Sequence, residues 1–297
     1  MKNMRVFVTG ATGFIGSAVV RELLDAGHQV VGLARSDKAA AALITAGAEV
    51  RRGGLDDLDS LRDGAASADG VIHLAFKHDF ADFAAAAAAD SLAIETMGAA
   101  LEGTGKALVA TSGTLMLTPG SLGTEEDASS QTTPRRSEEA ALALARRGVR
   151  SSIVRLAPSV HGEGEQGFVP TLIGIAREKG VSAYVGDGLN RWPAVHRLDA
   201  ARLFRLALEK GVAGAIFHGV ADEGVPFRDI AGVIGRHLNL PVISVAREEA
   251  DAHFGWISFA ASTDNPSSSA LTQKHLGWRP VHPALIPDLE QGHYFNS

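Results

Sequence analysis

The chain has 297 residues, 45% of them hydrophobic, with 28 basic against 34 acidic side chains and a formal net charge of −6. That length supports a full core, as one large domain or two closely packed ones. Charges of both signs are mixed along the chain, which excludes a basic face for nucleic acid or anionic lipid. The absence of cysteine excludes disulfides, thiolate catalysis and cysteine-held zinc, and no metal site is expected.

The opening residues Met1-Lys2-Asn3-Met4-Arg5 run straight into an apolar strand, with no room for a cleavable leader. The alanine run 84–89, bracketed by Asp82 and Asp90, is too short to span a bilayer and reads as part of a packed helix. A cytoplasmic protein with no membrane or nucleic-acid partner is therefore expected. Strand-like apolar runs recur at Arg5-Val8, Gln29-Leu33, Ala48-Arg51, Gly70-Leu74, Ala107-Thr111 and Ser152-Leu156, separated by helical patterns. This alternation predicts an α/β fold with a Rossmann-type doubly wound parallel sheet over residues 1–162. From residue 163 to 297 the alternation weakens into a smaller substrate lobe, with helices near Pro170-Lys179 and Asp199-Lys210. One run, Ala215-Val220, is expected to return to the sheet, and Thr263-Ser269 is the most loop-like stretch.

Directly after the first strand comes Thr9-Gly10-Ala11-Thr12-Gly13-Phe14-Ile15-Gly16, and directly after that a helical pattern from Ser17. Strand, glycine turn and helix in that order form a dinucleotide cradle. Gly10 permits the tight exit from the strand, Gly13 the approach of a pyrophosphate, and Gly16 the close packing of helix on sheet. In such sheets ligands bind beyond the carboxyl ends of the strands, so the residues just after each run are the candidate site.

Taken with His73-Leu74-Ala75, Thr111-Ser112-Gly113-Thr114, Val154-Arg155, Val160-His161-Gly162, Val185-Gly186-Asp187-Gly188, Val195-His196-Arg197-Leu198-Asp199 and Leu276-Gly277-Trp278-Arg279-Pro280, the glycine turn makes the chain resemble the extended or atypical short-chain dehydrogenase/reductase superfamily. That group includes nucleotide-sugar epimerases and dihydroflavonol-reductase-like enzymes. The resemblance implies coenzyme contacts from Gly10, Thr12, Gly13, Phe14, Ile15, Gly16, Arg35, Ser36, Asp56, Leu74, Ala75, Phe76 and Pro158. It also implies a homodimer, paired through the helices Ala81-Leu101 and Arg135-Arg147.

Arg35 lies 25 residues after Gly10, where an acidic residue would bind the ribose hydroxyls of NAD. A guanidinium there suits a 2′-phosphate, so NADP(H) is favoured over NAD(H). Arg35 could also sit on a solvated turn, with Asp37 serving a ribose, and Asp56 and Asp57 could equally cap a helix.

The family's chemistry uses a tyrosine four residues before a lysine, with a serine to orient the carbonyl. Ser112 matches the serine, but the pair is absent. Alignment through Glu138 or Glu139 puts Ser130 or Gln131 at the tyrosine position and Pro134 or Arg135 at the lysine position. Arg135 could supply the lysine's charge, though not a proton. His161 and His78 are the candidate proton donors by position, and either could instead be a hydrogen-bonded structural residue. Thr114, His78, Arg191 and Trp192 are the possible substrate contacts, the last two with packing as the alternative. The expected activity is NADP(H)-dependent hydride transfer to or from a small carbonyl or alcohol. Epimerisation or dehydration of a nucleotide sugar and a non-catalytic NADP(H) sensor are the alternatives.

Overall fold

The computed structural model describes residues 3–77, 82–130 and 133–296. The first part alternates strand and helix: β1 (Arg5–Thr9), α1 (Phe14–Asp25), β2 (Gln29–Ala34), α2 (Asp37–Ala46), β3 (Glu49–Arg52), α3 (Leu58–Ala66), β4 (Gly70–His73), α4 (Phe83–Leu101), β5 (Ala107–Gly113), α5 (Ser137–Ala145) and β6 (Arg150–Leu156). There follow β7 (Ser159–His161), α6 (Phe168–Lys179), β8 (Ser182–Val185), β9 (Arg191–His196), α7 (Arg197–Lys210), β10 (Ala215–Gly219), β11 (Asp222–Pro226), α8 (Phe227–Leu238) and β12 (Val242–Val245). The chain ends in α9 (Ala250–Phe254), α10 (Ser258–Ser262), α11 (Ala270–Leu276) and α12 (Leu285–Glu290).

Seven parallel strands in the order β10-β6-β5-β4-β1-β2-β3 form the central sheet, so the late run at Ala215 does rejoin it, beside β6. Apolar side chains cover both faces: Val6, Val8, Val19 and Phe204 on one, Phe7, Leu61, Met97 and Leu108 on the other. Two-sided burial is why these strands read as continuous apolar runs. The strand order reverses between β1 and β4, with Thr9 beside His73, and this junction is the crevice that α/β sheets use for ligands. The second lobe packs β11-β9-β7 and β12-β8 around Trp192, Phe227, Val169 and Leu285.

Two segments depart from the expectation. Helix α5 spans Ser137–Ala145 rather than Arg135–Arg147, because Thr133 precedes a proline and Arg136 holds a non-helical φ of −115° and ψ of 20° at the cap. Thr263–Ser269 is irregular as expected but not a surface loop. Asn265 and Ser267 are buried, and the segment bridges to Gly123, its polar side chains meeting backbone groups that water would otherwise meet.

Candidate active site

The turn after β1 shows why glycine is required. Gly10 has a φ of +68°, and a Cβ there would stand 2.7 Å from the Ala75 nitrogen, where the segment after β4 crosses it. A Cβ at Gly16 would lie 1.9 Å from the Gly10 carbonyl oxygen. Gly13 differs: its φ of −72° suits any residue and a Cβ would meet only the Gly10 oxygen, at 3.2 Å. Gly13 is the exposed cap of α1, with no side chain bonded to the first-turn N–H groups and no acidic residue in that turn. An open, uncapped helix N-terminus of this kind fits a diphosphate. Thr12 is exposed and Phe14 and Ile15 half-buried around it, with Leu74, Ala75, Phe76 and Pro158 half-buried along the same strand ends.

At the end of β2, Arg35 is exposed and its side chain has no partner among the described residues. Ser36 accepts from the Ala39 N–H and caps α2, while Asp37 pairs with Arg52. Asp57, not Asp56, caps α3 through the Ser60 N–H, and Asp56 instead meets the Lys77 ammonium at 2.6 Å.

Under the β1–β4 junction lies a buried polar chain. Thr9 Oγ1 meets His73 Nδ1 at 2.7 Å, and His73 Nε2 meets Asp90 Oδ1 at 3.1 Å. The Ser137 hydroxyl donates to Asp90 Oδ2, and Arg135 Nε lies 3.6 Å from that oxygen. Burial pushes the Asp90 carboxyl up, but the hydrogen bond and charge of His73, then Arg135 and Ser137, hold it below the usual carboxylate range. Arg135 donates from Nε to Ser137 Oγ at 2.9 Å and from Nη2 to the Thr111 carbonyl at 2.9 Å, and its guanidinium lies 4.5 Å from the Phe76 ring centroid.

Beyond β5 a cavity of about 140 Å³ is lined by Ser112, Met116, Ser129, Arg135, Glu138 and Arg155. Ser112 is within hydrogen-bonding reach of the Glu138 carboxylate. Fully buried Arg155 forks onto Glu138 at 2.9 and 2.7 Å and also meets His218 Nε2 at 3.3 Å. Burial raises the Glu138 carboxyl, yet Arg155 outweighs it, so the carboxyl sits below its ordinary value and stays an acceptor. Of the two glutamates that could set the helix register, Glu138 is the buried one and Glu139 pairs at the surface with Arg136. Ser130, Pro134 and Arg135 all lie ahead of the first turn of α5, and Gln131 lies outside the described residues.

Four candidates are each engaged by a partner within the fold. His161 is 0% exposed, its Nδ1 bonded to Asp288 at 2.8 Å and its ring edge-on to His196, so it is sealed from any ligand. Trp192 is 0% exposed, donates to the Ala260 carbonyl at 2.8 Å and packs on Phe168 and Phe227: it is core. Arg191 forks onto Asp264 at 2.9 and 2.7 Å, and Thr114 is buried with its hydroxyl on Asn265. Both tie the segment 263–269 to its neighbours, Thr114 from a buried position and Arg191 with its side chain 43% exposed. His78 lies outside the described residues.

Sequence reasoning missed Asp90, His73, Glu138 and Arg155 as site residues. Each carried a signal: a charge inside a buried apolar run, as Arg155 within Ser152-Leu156 or Asp90 within an alanine helix, needs a buried partner. Among the described residues no helix is long and apolar enough to cross a membrane, and no cluster of three or more His, Asp or Glu could hold a metal ion.

Comparison with known proteins agrees with this architecture. The uncharacterised protein C2A9.02 of Schizosaccharomyces pombe is 54% identical over 295 residues, 98% of this chain and 100% of that one. The uncharacterised protein YLL056C of Saccharomyces cerevisiae is 47% identical over 298 residues, covering 99% and 100%. Among solved structures, the Bordetella bronchiseptica enzyme WbmG in complex with NAD and UDP superposes with a TM-score of 0.78 at 19% identity, covering 99% of this chain and 94% of that one. The Streptomyces venezuelae dTDP-glucose 4,6-dehydratase DesIV, with NAD and TYD bound, gives 0.76 at 23% identity, covering 97% and 96%. At such identities the two structures show the shared fold alone. The model of the NAD dependent epimerase/dehydratase family matches residues 6–218, and the chain belongs to that family.

Proposed function

We propose that the chain is an NADP(H)-dependent oxidoreductase that moves a hydride to or from a small carbonyl or alcohol. The observation that carries this reading is the glycine turn. Its backbone admits no side chain at Gly10 or Gly16 and leaves the α1 N-terminus open, as a bound diphosphate requires. Preference for the 2′-phosphorylated coenzyme rests on Arg35, a planar cation with no partner among the described residues, beside an Asp37 already engaged by Arg52. When bound, the nicotinamide supplies the hydride chemistry.

The chain's own contribution is orientation. Arg135 presents a fixed positive charge beside Phe76, and Ser112, on the cavity wall beside Glu138, orients the reacting oxygen of the substrate. Arg135 acts through its charge. We further propose a cytoplasmic homodimer paired through α4 and α5.

A second reading, transient hydride removal from a nucleotide sugar, is favoured by the family's name and by neighbours solved with NAD and a nucleotide. It needs a base for the sugar hydroxyl. No phenol stands in this site, since Tyr184 lies on β8 and Tyr294 is buried in the second lobe. Consumption of NADPH with a panel of small aldehydes and ketones tests the proposal. Turnover that falls at least tenfold in Ser112→Ala supports it. Coenzyme binding without turnover, unchanged in that variant, indicates a sensor instead.

A further inference from the structure

A carboxylate at 1% exposure in the middle of an alanine-rich helix costs several kcal/mol unless its partners compensate, so its neighbours indicate what it is for. Asp90 holds two structures at once. Through Oδ1 it takes the His73 ring, which reaches on to Thr9 at the end of β1, and Thr9 Oγ1 in turn accepts from the Ala75 N–H at 3.3 Å. Through Oδ2 it takes the Ser137 hydroxyl and the charge of Arg135. Arg135 is gripped on every side but one: Ser137 at Nε, the Thr111 carbonyl at Nη2, and Phe76 beneath the plane. Nη1 has no partner among the described residues, and the guanidinium lies over the Phe76 ring, three residues past the end of β4.

We propose that Asp90 is a positioning residue for the coenzyme: its buried carboxylate fixes Arg135 so that the free Nη1 edge meets an oxygen at the nicotinamide end of the bound dinucleotide. This rests on the coenzyme reading above and deepens it. An arginine in the segment ahead of α5, its side chain 18% exposed, would without these partners sample several rotamers, and each bond it makes to a ligand would cost the ordering of that chain. Asp90, Ser137 and Thr111 do the ordering before the ligand arrives. The same carboxylate ties the arginine to the β1 and β4 ends, so the cradle and the cation keep one spacing.

The test measures dissociation constants by calorimetry for NADPH and for adenosine 2′,5′-bisphosphate, which lacks the nicotinamide half, in wild type, Asp90→Asn, Arg135→Gln and the double variant. The expected result is a roughly tenfold weaker NADPH complex in either single variant. The double variant should be no weaker than either single one, and bisphosphate affinity should be unchanged throughout. Asp90→Asn binding NADPH as wild type does, or losses that multiply in the double variant, would overturn the proposal while leaving the coenzyme reading intact. Loss of bisphosphate and NADPH affinity together in Asp90→Asn would assign Asp90 to the fold instead. Wild type binding neither probe would sink both readings. Should Asp90→Asn not fold, Ser137→Ala carries the test, since that hydroxyl joins Asp90 to Arg135. A loss confined to NADPH is expected, and equal affinity overturns the idea.

Discussion

Glu165 offers a prediction whose size follows from its surroundings. The carboxyl is 9% exposed behind β7, where Oε1 accepts from the Val169 N–H at 3.3 Å and Oε2 meets the Tyr294 hydroxyl at 2.7 Å, with Asp288 adding a like charge nearby. Burial dominates, and the carboxyl is pushed up from 4.5 to about 7. Its folded form thus binds a proton that the unfolded chain has released between pH 4.5 and 7, so stability is lost as pH rises through that window. At about 1.4 kcal/mol per pKa unit, the penalty reaches roughly 3 kcal/mol above pH 8 and vanishes below pH 4. Glu165→Gln keeps a group that can donate to Tyr294 and accept from Val169 but never ionises. Urea unfolding at pH 5 and pH 8 should find the variant close to wild type at the lower pH and more stable by about 2–3 kcal/mol at the higher. An equal difference at both values would refute the reasoning, and so would a variant less stable at pH 8.

Other substitutions separate binding from folding. Gly13→Ala, whose Cβ would stand 3.2 Å from the Gly10 oxygen, should cost much less stability than Gly16→Ala, whose Cβ would stand 1.9 Å from it and should cost about 1–3 kcal/mol, yet Gly13→Ala should weaken NADPH by about tenfold. Matching melting shifts in the two would contradict that division. Arg35→Ala should raise the NADPH dissociation constant about tenfold and leave NADH within twofold, read by fluorescence titration. Parallel changes would remove the 2′-phosphate assignment. Light scattering at micromolar concentration should return twice the chain mass, and a monomer there would count against pairing through α4 and α5.

Much of the framework was legible because it rests on local rules. Continuous apolar runs of four to seven residues between helical patterns mark strands buried on both faces, and Gly10, Gly13 and Gly16 mark the turn whatever the distant chain does. What the sequence left hidden is long-range. Asp90 and His73 are 17 residues apart, Arg155 and His218 are 63 apart, and Thr114 and Asn265 are 151 apart. Periodicity carries no record of such pairings. His161 misled for the same reason: a histidine at a strand end looks available until Asp288, 127 residues on, closes over it. Segment 263–269 has the composition of a surface loop, but its asparagine and serines bond backbone groups between the two lobes and make burial affordable.

The central claim is that the turn from Thr9 to Gly16 receives a pyridine dinucleotide. Isothermal calorimetry of the purified chain against NADPH and NADH tests it most directly. The account predicts saturable binding at about one coenzyme per chain, tighter for NADPH by about tenfold through Arg35. No measurable heat and no saturation with either coenzyme at millimolar concentration would contradict it.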